Sequence, residues 1–374
     1  MDQLPETILQ FGSGKFLRGF ADLFIHQANA AGQAVGRIVV VQTTGDERAD
    51  QLNRQGGRYH VAVRGLSGGQ VIDRVEDSAS ISRALVAGRQ WADVLAVARS
   101  PQLRHIISNT AEAGYDLHAG DRPDDAPPRS FPAKLLLVLA ARFEAGQPGV
   151  ALLPCELFEE NADKLRGLLI QLAQTWGMPA AFTDWLRDAC RWHNALVDRI
   201  VTSQVVDRPE VAGDALAVLA EPYALWAVEA KGGAPHLFRH PALVVTEDVR
   251  PYFLRKVRIL NAAHTALVSR AVPRGLATVG EAMADPEIAG WLERLLFDEI
   301  VPVLVSRVEK PEEFARQTLE RFRNPFLAHK LRDILTYHEA KVKIRLVPTR
   351  EEFVAKFGRA PARLDEAIAW QLPR

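Results

Sequence analysis

Cysteine is nearly absent from this chain: 374 residues contain two, Cys155 and Cys190. Two thiols far apart in sequence make no disulfide framework and fit a reducing compartment. Net charge is absent as well, with 46 Lys plus Arg against 46 Asp plus Glu. A balanced chain has no electrostatic case for nucleic acid or an anionic membrane surface. Uninterrupted apolar runs long enough to span a bilayer are missing, and the N-terminus, MDQLPETILQ, lacks the basic and apolar regions of a signal peptide. The ten histidines show no ligand spacing, and neither His-Glu-x-x-His nor Cys-x-x-Cys occurs, so no metal site is expected. No Gly-x-Ser-x-Gly elbow and no Gly-Lys-Ser/Thr phosphate loop occurs, which argues against a serine hydrolase and a nucleotide triphosphatase. What remains is a cytoplasmic enzyme or binding protein, too long for one ordinary core.

The residues present favour an α/β chain. Thr7–Phe11 reads as a strand entering a glycine turn, GSGKFLRGF, followed by a helical pattern that ends near Gly32. Strand, Gly-x-Gly and helix form the context of a dinucleotide-binding turn. Gly12 permits the turn, and Gly14 lets backbone approach a pyrophosphate at a helix N-terminus. Phe11, Lys15 and Phe16 flank these glycines, and Arg18 is placed to add charge-assisted bonds to phosphates. The third glycine of the usual fingerprint falls on Leu17, so an ordinary strand-to-helix turn competes with this reading. Arg37–Gln42, RIVVVQ, is the clearest buried strand. No acid stands at its end, which reads Gln42, Thr43, Thr44, so NAD and NADP are not separated by the ribose rule.

Further strands are expected at Tyr59–Arg64, Val71–Val75, His105–Ser108 and Val150–Pro154. Asn109, Thr110 and Glu112 follow one of them, where ligands bind in parallel sheets. Asp116–Arg129 reads as an exposed loop, and Asn194–Ile200 as a turn. Cys155 follows a strand, where it is more plausibly a small core residue than a nucleophile. Beyond about residue 245 the pattern is helical. The expected fold is a Rossmann-like domain with a mainly parallel sheet over residues 1–245, then a mostly α-helical domain over 246–374.

Within the helical part, Tyr252–Leu267 carries Lys256, Asn261 and His264. On an α-helix Asn261 stands roughly 140° and His264 roughly 80° round from Lys256, one broad face on which a cation, an amide and an imidazole can surround a polar group. A surface helix with three polar residues is the bland alternative. With hydrolase and metal chemistry set aside, hydride transfer is the remaining reading. Lys256 then handles the proton, with a pKa brought to about 7–8 by burial and by Arg255 and Arg258. Asn261 donates to the developing oxyanion and His264 binds a neighbouring hydroxyl.

Four segments, FGSGKFLRGF, ISNTAEAGY, NALVDRIVTS and KVRILNAAH, together resemble the mannitol dehydrogenase family of polyol-specific long-chain dehydrogenases and reductases. The resemblance implies NAD as cofactor, with NADP not excluded, and a Lys-x4-Asn-x2-His motif on Lys256, Asn261 and His264. It implies a sugar-acid or polyol substrate and a monomer or small homo-oligomer. LPCEL (Leu153–Leu157), RILNAAHT (Arg258–Thr265) and RFRNPF (Arg321–Phe326) are most similar to the branch that interconverts tagaturonate and altronate. Fructuronate reduction, polyol oxidation and a non-catalytic NAD-binding homologue are the rivals. The family's second oxyanion asparagine falls on Leu157 here, leaving Glu156 and Asn161 as candidates beside the substrate. A uronate carboxylate calls for a cation, for which Arg258, Lys343 and Arg345 are candidates.

Overall fold

The structure, a computed structural model, describes residues 3–110, 112–203, 207–231 and 238–371. The chain forms two compact units. The first comprises the residues up to Ala62, Val75–Ala220 and Ala224–Val249; the second comprises Val63–Arg74, Glu221–Tyr223 and the chain from Arg250 onward.

The strands follow in chain order: β1 (Glu6–Phe11), β2 (Arg37–Gln42), β3 (Tyr59–Ser67), β4 (Gln70–Ser78), β5 (Ile81–Val86), β6 (His105–Ser108), β7 (Ala151–Pro154), β8 (Arg191–Trp192), β9 (Ala195–Asp198), β10 (Val201–Thr202), β11 (Val218–Ala220), β12 (Leu225–Glu229) and β13 (Leu243–Thr246). The main sheet of the first unit has the order β5-β2-β1-β6-β7-β8. Its pairs are all parallel. β1 and β2 are buried at five of six positions each, as continuous Ile/Val/Leu runs in a covered parallel sheet should be. Helices Trp91–Arg99, Phe131–Glu144, Asn161–Thr175 and Ala180–Asp188 build one apolar core with it.

One strand was not anticipated, and one expectation needs amending. Ile81–Val86 is an edge strand beside β2. Asn194–Ile200 is not a turn: β9 runs antiparallel to β12, which pairs with β13 in a separate three-stranded sheet. The strand order reverses at β1, so the loops after β1 and β6 flank the switch point where open α/β sheets bind ligands.

The second unit is helical apart from the distal half of the β3–β4 hairpin. Helices Ala262–Ala271, Pro286–Leu295 and Pro311–Phe322 pack around a core that includes Leu267, Leu292, Phe314 and Phe322. Thr278 and Asp285 cap their helices by accepting from backbone N–H groups two or three residues on. Among the described residues, no helix is long and apolar enough to cross a membrane.

Candidate functional site

The glycine turn is built from behind. Gly12 has φ of +123°, and a Cβ there would lie 2.8 Å from the Asn109 carbonyl oxygen. Only glycine combines that backbone with so close an approach. The Gln10 amide donates to the Gly12 carbonyl at 3.1 Å. Arg18 is buried, and its guanidinium donates to the Ser13 carbonyl at 2.6 Å and to the Leu216 carbonyl at 3.1 Å. The expectation that Arg18 meets phosphates is therefore corrected, because its donors brace the turn instead. Phe11 lies in the core against Phe131, and Phe16 stacks on Phe20. Lys15 is exposed and does not line the cleft in front of the turn.

That cleft has a volume of about 440 Å³. Gly12, Ser13 and Gly14 form one wall, Asn109 and Thr110 another, and Gln42, Thr43 and Thr44 the end at β2. Nothing stands within 4 Å of a Cβ built on Gly14, so backbone there is open to a ligand. The cations Arg48, Arg129 and Lys134 and the acid Asp116 also line it. A cradle of exposed backbone with three cations suits a phosphate-bearing dinucleotide. Sequence reasoning placed Gly12, Gly14, Asn109 and Thr110 here and missed Ser13, Thr43, Arg48 and Lys134. Lys134 had a signal, since it interrupts the apolar helix FPAKLLLVLAARF. Burial lowers its pKa, and its ammonium donates to the Arg129 carbonyl. Glu112 starts a short 3-10 turn, and its side chain lies outside the described residues.

Glu156 and Asn161 organise the neighbouring loops. Glu156 is buried and accepts from the Ser108 hydroxyl at 3.0 Å, the Thr110 N–H at 2.9 Å and hydroxyl at 3.1 Å, and the Tyr115 hydroxyl at 3.2 Å. Burial raises its pKa against those donors. Asn161 is fully buried: its amide donates to the carbonyls of Pro154, Glu156 and Ala195, and its oxygen accepts from Ala195 N–H at 3.0 Å. Both residues are spent on their own framework, so the expectation that they hold substrate is corrected. Leu157 is an exposed apolar side chain. Cys155 is buried with its pKa pushed well up by burial, which makes it an inert core thiol.

The other candidate residues lie on one helical run in the second unit. It is not a continuous α-helix. Arg250–Arg255 is α, Lys256–Asn261 is π, and Ala262–Ala271 is α again. The i→i+5 repeat of a π turn brings residues five apart nearly over one another. Lys256 and Asn261 are five apart, and His264 follows three residues on, almost on the same face. Lys256 and Asn261 are half-buried, whereas His264 is buried. The His264 ring stacks on Phe322 at 4.0 Å between centroids and meets His329 edge-on at 4.8 Å. Burial lowers its pKa well below the usual value, and His329, Arg321, Arg345 and Lys341 push the same way. The imidazole is neutral, and its Nε2 is buried with no hydrogen-bond partner among the described residues. Such an atom needs an outside partner.

The three candidate cations part company. Arg258 is buried, donating from Nε to the Thr349 hydroxyl at 2.6 Å and from Nη2 to Glu352 at 2.5 Å. It ties the helices together, so its expected role toward a substrate carboxylate is corrected. Lys343 is exposed. Arg345 remains: it donates to the Thr265 hydroxyl at 3.2 Å, beside His264.

Comparison with known proteins follows the same division. Residues 6–238 match the domain described as mannitol dehydrogenase Rossmann domain, and residues 248–371 match the mannitol dehydrogenase C-terminal domain. The chain is 38% identical to an altronate oxidoreductase of Cronobacter sakazakii, over 98% of this chain and 79% of that one. It is also 38% identical to the altronate oxidoreductase of Bacillus subtilis, over 97% and 78%. Its fold is similar to that of Pseudomonas fluorescens mannitol 2-dehydrogenase, solved with NAD and D-mannitol, at a TM-score of 0.81 and 23% identity, covering 98% of this chain and 78% of that one. A D-sorbitol dehydrogenase gives a TM-score of 0.83 at 22% identity, covering 98% and 80%.

Proposed function

The chain belongs to the mannitol dehydrogenase family and is an oxidoreductase acting on CH–OH groups, and from that premise we propose that it interconverts a keto-hexuronate and its aldonate with NAD, tagaturonate and altronate being the leading pair. The observation that carries this reading is the π segment, whose i→i+5 repeat puts Lys256 and Asn261 on nearly one face, with a His264 Nε2 three residues on that has no hydrogen-bond partner among the described residues. The identity to altronate oxidoreductases supports the choice of sugar acid.

The dinucleotide, when bound, supplies the hydride for reduction or accepts it for oxidation. The glycine turn and the Arg48, Arg129 and Lys134 cations would hold its phosphates. The chain's own work is done at the oxygen. As hydride reaches the carbonyl carbon, the C=O electron pair moves onto oxygen. The Asn261 amide donates an N–H to that oxygen, and Lys256 Nζ gives it a proton. In the reverse direction neutral Lys256 takes the alcohol proton. His264, held neutral, offers Nε2 to an adjacent substrate hydroxyl and fixes which carbon is presented. A donor of this kind is worth about 3–4 kcal/mol in the transition state.

The test is NADH oxidation with tagaturonate, fructuronate and fructose. Turnover of a keto acid is expected, and NADH binding without turnover of any of the three would end the reading. Lys256→Ala is expected to lose roughly 10²–10⁴ of kcat while still binding NADH. Activity near the wild-type level across pH would remove Lys256 from the proton-transfer role.

A further inference from the structure

The β2 end of the cleft lacks the group that fixes the adenosine ribose of NAD. In nucleotide-binding sheets of this kind a carboxylate after the second strand accepts from the ribose 2′-hydroxyl, whereas an arginine there accommodates a 2′-phosphate. The strand ends here on Gln42, whose side chain is already used. Its oxygen accepts from the Ala49 N–H at 2.6 Å, and its amide donates to the Thr44 carbonyl at 2.8 Å. Those two bonds tie the loop over residues 43–46 to the first turn of the helix Glu47–Arg54. The acids that follow are placed elsewhere. Asp46 and Asp50 pair with Arg89 at 3.5 and 2.7 Å, and neither they nor Glu47 lines the cleft.

What lines the cleft at this end, beside Gln42, is Thr43, Thr44 and Arg48. Thr44 and Arg48 are exposed and Thr43 is half-buried. None of these three side chains has a hydrogen-bond or ion-pair partner among the described residues. Burial lowers the Arg18 pKa, and among the charges around it Arg48 pushes the same way, a like-charge repulsion that an anion bound at Arg48 relieves. The other cations of the cleft come from a different part of the chain. Arg129 and Lys134 stand at the start of the helix Phe131–Glu144. With the glycine turn they answer the charge of a pyrophosphate. Arg48 is a further cation, and NAD carries no further phosphate to meet it.

We propose that Arg48, with the Thr43 and Thr44 hydroxyls, is a subsite for the 2′-phosphate of NADP(H), and that the chain binds NADPH at least as tightly as NADH. This rests on the hydride-transfer reading above and deepens it by naming which dinucleotide the site takes. A guanidinium offers parallel N–H donors matched to phosphate oxygens. The two hydroxyls donate to the oxygens that remain, and no carboxylate lines this end of the cleft to repel them.

The test is a fluorescence titration of the full chain with NADPH and with NADH, in the wild type, Arg48→Gln and Thr43→Asp. The wild-type Kd for NADPH is expected to equal or fall below that for NADH. Arg48→Gln is expected to raise the NADPH Kd roughly 10- to 100-fold, the range of one charge-assisted contact, and the NADH Kd no more than about threefold. Because Arg48 is exposed, the variant should keep the wild-type Tm, which separates lost binding from lost folding. Thr43→Asp puts an acid at the strand end and is expected to invert the preference, weakening NADPH and sparing NADH. A wild-type NADPH Kd more than about tenfold above the NADH Kd, or equal losses on both dinucleotides in Arg48→Gln, would overturn the assignment. The hydride-transfer reading survives either result when NADH is bound and oxidised by tagaturonate. Binding of neither dinucleotide would overturn both.

Discussion

Asp22 carries a pH signature that falls in the range of ordinary assays. Its carboxyl is fully buried, and burial raises its pKa to about 7, against the weaker opposing effects of the Gln10 hydrogen bond, the Arg18 charge and a Tyr59 hydrogen bond. The contact with Gln10 Nε2 is long, at 3.4 Å, and the other carboxylate oxygen has no partner among the described residues. In an unfolded chain the same group titrates near 3.9. The folded state therefore binds the extra proton between roughly pH 4 and 7. The stability that the neutral carboxyl allows is fully present below about pH 4 and is lost as pH rises through about 7. Three pH units correspond to roughly 4 kcal/mol at most, an upper bound because buried sites relax.

Asp22→Asn keeps the shape and removes the titration. Urea unfolding of the first unit at constant ionic strength, from pH 5 to 8.5, should show the variant gaining on the wild type as pH rises. The gain should approach a few kcal/mol at pH 8, fall to about a third of that at pH 5 and vanish only below about pH 4. A difference that is flat with pH would refute the assignment of that titration to Asp22. A variant that loses ground on going from pH 5 to pH 8 would show instead that the carboxylate is stabilised in the fold, by Arg18 or Gln10.

Gly12→Ala forces a side chain onto positive φ and against the Asn109 carbonyl. It should cost about 1–3 kcal/mol of stability, read from the urea midpoint, and weaken NADH binding with it. Gly14→Ala meets open space and extended backbone, with φ of −69°. Its stability should stay within about 0.5 kcal/mol, while fluorescence titration shows NADH binding reduced; unchanged binding would take the cofactor away from this turn. Glu221→Gln leaves the Arg321 guanidinium buried without its carboxylate. A loss of about 3–5 kcal/mol is expected in thermal or urea unfolding, and a loss below about 1 kcal/mol would mean that water or another group compensates.

Much of the first unit was legible because its signals are local. Arg37–Gln42 and His105–Ser108 are found where their apolar runs stand, since a strand buried on both faces must be written continuously. The glycine turn was legible for the same reason, as positive φ restricts residue choice at Gly12. Side-chain direction was not legible. Arg18, Glu156, Asn161 and Arg258 sit at the right places in the chain, yet each turns inward and saturates buried carbonyls, N–H groups or a carboxylate. A polar residue near a site satisfies the framework first, because an unpaired buried group costs about 1–3 kcal/mol, and sequence spacing carries no record of which residues are used that way.

The π segment is the sharpest case of that limit. Read as an α-helix, Lys256 and Asn261 stand roughly 140° apart, at the two edges of one broad face, an arrangement that a surface helix with three polar residues explains as well. Nothing in KVRILN marks a π turn: it contains neither glycine nor proline. The widened turn is held from outside, with Ile259 and Leu260 in the helical core and Arg258 pinned by Thr349 and Glu352 from a helix some ninety residues later. A π turn is rare and is favoured at functional sites, because it is a local loss that tertiary packing must offset. What it gains, on the proposed reading, is one face that carries both Lys256 and Asn261. A variant that restored regular α geometry between them would, on that reading, lose turnover while keeping NADH binding.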